Sequence, residues 1–262
     1  MKDSLTNKVY FSSYFTEKDT GCRKAVEAVL DANNIPYSTI YGTKDIWARD
    51  YMPVQVDEHK FVSFRYDPDY LKGLDEFRTE TVKCDAFNGA EIEECDLVLD
   101  GGNIVVCGDR MILTEKVFKA NADRAQPEIT KELERAFGKQ VIWIPCDPHE
   151  IRECEERGEL PLCHADGVLS AIDDDTVLLA NYIDYDPDYR ERLLERLRPY
   201  FRIKELSFGP KRSENSWIYI NYLRVGDVVL VPILGELADD MAIEQLKEYL
   251  GTEKVYGYRL TV

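Results

Sequence analysis

The apolar positions of the chain alternate between the two periods that distinguish strands from helices. In residues 103–114, NIVVCGDRMILT, two short apolar runs flank Gly108-Asp109, which predicts a β-hairpin. From about Pro127 the spacing becomes helical. Ile129, Leu133 and Phe137 share one face, proline opens the segment and Gly138 ends it. Residues 140–145, QVIWIP, return to strand spacing. This unit of hairpin, amphipathic helix and single strand recurs. A second copy has runs at 168–172 and 176–180 around Asp173-Asp174-Asp175, a helix opened by Asp186-Pro187 with Tyr189, Leu193 and Leu197 on one face, and a strand at 203–208. A third has strands at 217–225 and 228–234, a helix at 237–250 stopped by Gly251, and a strand at 254–260. A weaker copy has strands at 54–56 and 60–64 and a poorly patterned helix at 69–77. The N-terminal copy is incomplete: a strand at 9–15, a helix with Cys22, Ala25, Val26, Val29 and Leu30 on one face, and a strand at 37–41, without a leading hairpin strand. Repeats that each bury part of a surface stack or close into a ring. The expectation is an α/β protein of four full units and one incomplete unit, forming a single domain over residues 1–262, with the last unit unclosed at Val262.

Composition narrows the chemistry. Lysines and arginines number 33 against 50 aspartates and glutamates, a net charge of −17. Nucleic acid and anionic membrane are therefore not expected partners, since both require a basic face. A negative field draws in cations, although an acidic surface also serves solubility. The first residues lack a signal peptide's apolar core, and no stretch is long and apolar enough to span a bilayer. Seven cysteines without a C-x-x-C pair argue for reduced thiols in the cytoplasm and against a structural zinc site.

Four short stretches at strand edges could carry chemistry. Asp50 follows Arg49 in WARDYMP at 47–53, where the two charges could also simply pair. Asp100 precedes Gly101-Gly102-Asn103. The glycines permit close backbone approach or a tight bend into the hairpin. His164 and Asp166 alternate, so on extended backbone they share a face and make an acid–base pair, or a buried histidine satisfied by its neighbour. The fourth stretch, SWIYIN, ends at Asn221. His59 and His149 sit in polar and acidic surroundings and are expected to be solvated. The acidic segment 147–159 reads as a solvated face or a loop over a pocket mouth. Three carboxylates and one imidazole suit a planar guanidinium, which carboxylates grip in pairs and which a tryptophan such as Trp47 can cover. A metal-dependent hydrolase is disfavoured by the single well-placed histidine.

In this order the stretches WARDYMP, DGGN, HAD and SWIYIN resemble the agmatine deiminase and bacterial, Porphyromonas-type, peptidylarginine deiminase family; VPILGELADD at 231–240 is similar to that family's entry into its last helix. The resemblance implies a pentein fold, a five-bladed α/β propeller. It implies hydrolysis of a guanidino group, in agmatine or in free or peptidyl arginine, to a ureido product and ammonia. It implies a small cationic guanidino substrate, no metal or cofactor, and a homodimer. Asp50 and Asp166 would hold the guanidinium, Asp100 would touch the same group, and His164 would be the general acid and base. Trp47, Arg49, Asn103 and Asn221 would line the substrate site. The family's nucleophile is a cysteine in a glycine-rich segment after the strand that 254–260 matches, so it is expected just beyond Val262. Cys107 echoes that segment in another unit, and alternation turns Cys163 away from His164; neither fits the role well. The other reading is a catalytically inactive pentein that binds a guanidinium ligand or a partner.

Overall fold

The computed structural model describes residues 2–18, 20–80, 87, 89–209 and 216–259. These residues form five small sheets, each built from consecutive segments. In the first, β1 (Val9–Ser12) runs parallel to β2 (Tyr37–Ile40), joined through α1 (Ser13–Lys18) and α2 (Thr20–Ala32). The single turn α3 (Ala48–Tyr51) leads into the second sheet, β3 (Val54–Asp57), β4 (Lys60–Arg65) and β5 (Glu91–Val98). The third sheet is β6 (Val105–Cys107), β7 (Arg110–Thr114) and β8 (Gln140–Ile144), with α4 (Lys116–Ala120) and α5 (Gln126–Phe137) in its crossover. After α6 (Pro148–Arg157) comes the fourth, β9 (Leu169–Ala171), β10 (Thr176–Leu179) and β11 (Arg202–Glu205), crossed by α7 (Tyr182–Tyr185) and α8 (Pro187–Leu197). The fifth is β12 (Leu223–Val225), β13 (Val228–Ile233) and β14 (Val255–Arg259), crossed by α9 (Leu237–Leu250).

In sheets two to five the first two strands pair antiparallel and the third returns parallel to the second. The first sheet holds only the parallel pair among the described residues, as its missing hairpin half predicts. The helices form where their apolar spacing and caps agree. Along α5 the buried residues Ile129, Leu133 and Phe137 repeat every four positions, and Gly138 adopts a left-handed φ of 64° that ends it. At the start of α8 the Asp186 carboxylate accepts the Tyr189 amide, and Tyr189, Leu193 and Leu197 are buried. Apolar side chains link neighbouring sheets. Ile112 and Ile144 of the third sheet share a cluster with the fourth and fifth, and Met111 and Leu113 share one with the second. Val9, Phe11, Val26 and Leu30 of the first unit pack with Val225, Val228 and Leu230 of the last. The five sheets fit a propeller-like arrangement. Among the described residues no helix is long and apolar enough to cross a membrane.

Five expectations need correction. The N-terminal strand stops at Ser12, where the Ser12 hydroxyl accepts the Phe15 amide and turns the chain into α1. The expected helix at 69–77 is a single 3-10 turn, Asp69–Leu71, followed by further turns; Leu71 alone in that 3-10 turn is buried. The run at 217–225 begins as a 3-10 turn, Ser216–Tyr219, before β12. The acidic segment at 147–159 is the solvated face of the first reading, but it is helical and not a loop, because the Asp147 carboxylate caps α6 by accepting the His149 amide. His149 is accordingly not a solvated loop residue. Its Nε2 lies 2.8 Å from Asp186 Oδ2, joining the N-termini of α6 and α8.

Candidate active site

Four linkers between sheets contain one helical turn just before the next hairpin: Ala48–Tyr51, Gly101–Asn103, Ala165–Gly167 and Ser216–Tyr219. The turn holds the same place in each unit, so the units bring these linkers toward one another. Three of them deliver Asp50, Asp100, His164 and Asp166 to one cluster. The Gly102 amide donates to Asp50 Oδ1 at 2.9 Å. His164 Nδ1 lies 3.8 Å from Asp50 Oδ1, and its Nε2 lies 3.3 Å from Asp100 Oδ2. A Cβ on Gly102 would sit 2.7 Å from both Asp50 Oδ1 and His164 Nδ1, and 3.1 Å from Asp166 Oδ2. Gly102 is thus the floor on which the two aspartates and the imidazole meet, and no side chain fits there. Gly101 is equally constrained, since a Cβ would come within 1.9 Å of the Arg49 carbonyl oxygen. The glycine pair in DGGN was the visible signal for this close approach.

The cluster is buried: the side chains of Asp50, Asp100 and His164 are 12%, 8% and 11% exposed. Burial raises the Asp50 carboxyl above its usual range, with the Asp100 charge acting the same way against the pull of His164. Burial likewise pushes Asp166 up to about 6, although His164 and Arg49 pull it down. For His164 burial disfavours the cation, but the Asp100 contact and the charges of Asp50, Asp100 and Asp166 outweigh it and raise the imidazole to about 9. At neutral pH the histidine is therefore protonated. Its Nε2 is buried and has no hydrogen-bond partner of good alignment among the described residues.

Tyr70 is a member of the cluster that sequence reasoning missed. Its hydroxyl lies 3.5 Å from Asp100 Oδ1, and its ring meets the His164 ring edge-on at 6.2 Å between centroids. It stands in the stretch whose weak periodicity concealed any structural role. Two residues expected at the substrate are engaged inside the protein instead. The Arg49 guanidinium donates to the Ile104 carbonyl at 2.6 Å. The buried Asn103 side chain accepts the Thr114 amide at 2.9 Å, bracing the linker against β7. Trp47 is 59% exposed on the linker beside Asp50. Asn221 is exposed at the end of the fourth linker. The Cys107 thiol donates to the Asp173 carbonyl and is pushed up to about 12 by burial and the acidic turn around it. The Cys163 thiol contacts Cys146, which raises it far above the ordinary range. Neither thiol is disposed as a nucleophile.

A sequence profile of the Porphyromonas-type peptidyl-arginine deiminase family matches residues 15–261. The chain belongs to that family. Among curated relatives, a "Putative agmatine deiminase" of Mycoplasma mycoides subsp. mycoides SC is 27% identical over 199 residues, covering 61% of this chain and 52% of that protein. The chain spans about half the length of the curated relatives it matches. An agmatine deiminase of C. jejuni with substrate bound superposes with a TM-score of 0.71 at 17% identity, over 99% of this chain and 90% of that one. The agmatine deiminase of Enterococcus faecalis gives 0.68 at 16% identity, over 97% and 88%. These two likenesses establish the fold of this family member as that of the deiminases.

Proposed function

We propose that this family member is a guanidino-group deiminase that hydrolyses agmatine or an arginyl group to the ureido product and ammonia. One observation carries the reading: Asp50, Asp166 and a protonated His164 converge on a glycine floor too close for any side chain, and Asp100 closes on the far nitrogen of the same imidazole. Such a site costs stability through repulsion and burial, and a bound planar cation offsets that cost. Asp50 and Asp166 hold the guanidinium nitrogens through charge-assisted hydrogen bonds, with Asp100 contacting the same group. The exposed Trp47 and Asn221 shape the mouth. In this reading the five sheets are the blades of a pseudo-fivefold propeller, and the apolar core shared by the first and last units supports their being neighbours in it. The chain acts as one domain in a reducing, cytoplasmic setting, consistent with described cysteines that carry no disulfide.

The chemistry follows from the charges. A thiolate attacks the guanidinium carbon, and the His164 imidazolium passes its proton to the departing nitrogen, which leaves as ammonia. The now neutral imidazole takes one proton from water, whose oxygen adds to the same carbon; the intermediate then expels the thiolate and gives its hydroxyl proton to solvent, leaving the neutral ureido group. In this reading the nucleophile is the family's cysteine of the glycine-rich segment. The same cluster fits a second reading, a guanidinium-binding protein without turnover, since gripping the cation calls only on Asp50, Asp166 and Asp100.

Ammonia release from agmatine and from an arginyl peptide, measured beside calorimetric binding of both, separates these readings. Turnover of either, lost on Asp166→Asn, supports the deiminase. Binding without turnover in protein that carries the expected cysteine supports the binding protein. Absence of both overturns the proposal.

A further inference from the structure

Lys116, at the start of α4, is a buried cation that the proposed chemistry does not use; it is 8% exposed. Its ammonium lies 3.1 Å from Asp69 Oδ1, donates to the Pro161 carbonyl at 2.9 Å, and rests 4.7 Å from the centre of the Tyr70 ring. These three partners belong to two loops. Asp69 and Tyr70 come from the 3-10 turn between β4 and β5, and Pro161 stands three residues before His164. We infer that Lys116 is a positioning residue that pins these two loops together, so that the Tyr70 hydroxyl and the His164 imidazole close on the two oxygens of Asp100.

The second loop needs such a hold. Cys163 has a left-handed φ of 52°, a conformation that a residue with a side chain adopts only when its surroundings impose it. Its carbonyl accepts the Thr114 hydroxyl at 2.6 Å, and its amide, with that of Leu162, donates to the Glu150 carboxylate. Lys116 supplies the remaining anchor, at Pro161, and is the one that also reaches the Tyr70 loop. A buried ammonium held by one carboxylate, one carbonyl and one ring face is a demanding set of contacts, and losing any of them leaves a charge or dipole unpaired. An apolar side chain could fill the space but could not tie a carbonyl on one loop to a carboxylate on the other.

The inference takes its meaning from the deiminase reading, but its test needs no turnover. His164 is titrated by NMR in the full chain, without substrate, and compared with Lys116→Met. The groups facing His164 are Asp50, Asp100, Asp166 and Tyr70. Removing a nearby positive charge would by itself raise the imidazole's proton affinity. Loss of position draws His164 off Asp100 and lowers it. The expected result is a fall from about 9 by roughly one unit or more, a tenfold loss of proton affinity. Lys119→Met serves as the control, because Lys119 approaches the same Asp69 at 3.7 Å but is 68% exposed; it should leave His164 unchanged. An unchanged or raised value in Lys116→Met overturns the inference, even if agmatine binds normally. Should Lys116→Met not fold, Lys116→Gln is titrated instead; it removes the same charge, so the same two outcomes decide. Failure to bind any guanidino compound, with the fall in His164 still observed, would count against the deiminase reading alone.

Discussion

Gly102 carries the geometric demand at the centre of the cluster. Its missing Cβ is the space in which Asp50, His164 and Asp166 approach one another. Gly102→Ala is expected to cost about 1–3 kcal/mol of stability, read from denaturant midpoints, because the added methyl has no route of escape. It should also abolish agmatine binding. The ionisable groups set two pH windows. Asp166, raised from 3.8 to about 6, must lose its proton to grip a cation, so agmatine affinity should rise as pH increases through about 6. His164 is raised from 6.5 to about 9, so the folded state binds that proton more tightly than the unfolded chain does. Its contribution, on the order of 3 kcal/mol, is fully present below pH 6.5 and is lost as pH climbs through about 9. Urea midpoints measured across that interval should fall, and Asp50→Asn should lower the His164 midpoint toward 6.5.

Elements were legible in proportion to their length and apolar contrast. The helices α5, α8 and α9 were readable from their spacing, their proline or acidic starts and, for α5 and α9, a closing glycine. The single turns that carry the site were not, since three or four residues contain no period to detect. Helix α6 was hidden by its composition, for within PHEIRECEER only Cys154 is buried, and Asp147 and His149 hold it at its N-terminus rather than along its face. The turn at Asp69–Leu71 is a product of tertiary contacts with Lys116 and cannot be read locally. The acid candidates themselves were readable because glycines, a histidine and aspartates at strand edges have few structural uses; Arg49 and Asn103 stood in the same motifs yet serve the scaffold. A related test concerns Asp239 in the first turn of α9. Its carboxylate accepts the amides of Leu234, Gly235 and Glu236 and the hydroxyl of Tyr219, tying the fourth linker to the helix. Burial works against its ionisation, but these four donors hold its carboxyl below the usual range. Its stabilisation is therefore lost as pH falls through the carboxylate range. Asp239→Ala should lower stability by about 1–3 kcal/mol in denaturation at pH 7, with a smaller effect at pH 3.

At the scale of the whole molecule, repetition does the assembling. Units two to five are each a hairpin, a crossover and a strand, and each is entered through a linker turn at the same point, so residues 50, 100, 164 and 166 meet although they are far apart in sequence. The same repetition links the first unit to the last through a shared apolar cluster. A net charge of −17 surrounds this arrangement and favours the approach of a cation. The central claim is that the carboxylates and imidazole on the Gly102 floor form a guanidinium site. Calorimetric titration of agmatine at pH 5 and pH 8, into the chain and into Asp166→Asn, addresses it directly. The expected result is one site per chain, tighter at pH 8 than at pH 5, weakened in Asp166→Asn by about 1.5–3 kcal/mol, on the order of ten- to a hundredfold. Binding that ignores both the pH change and the substitution, or no binding at either pH, would contradict it.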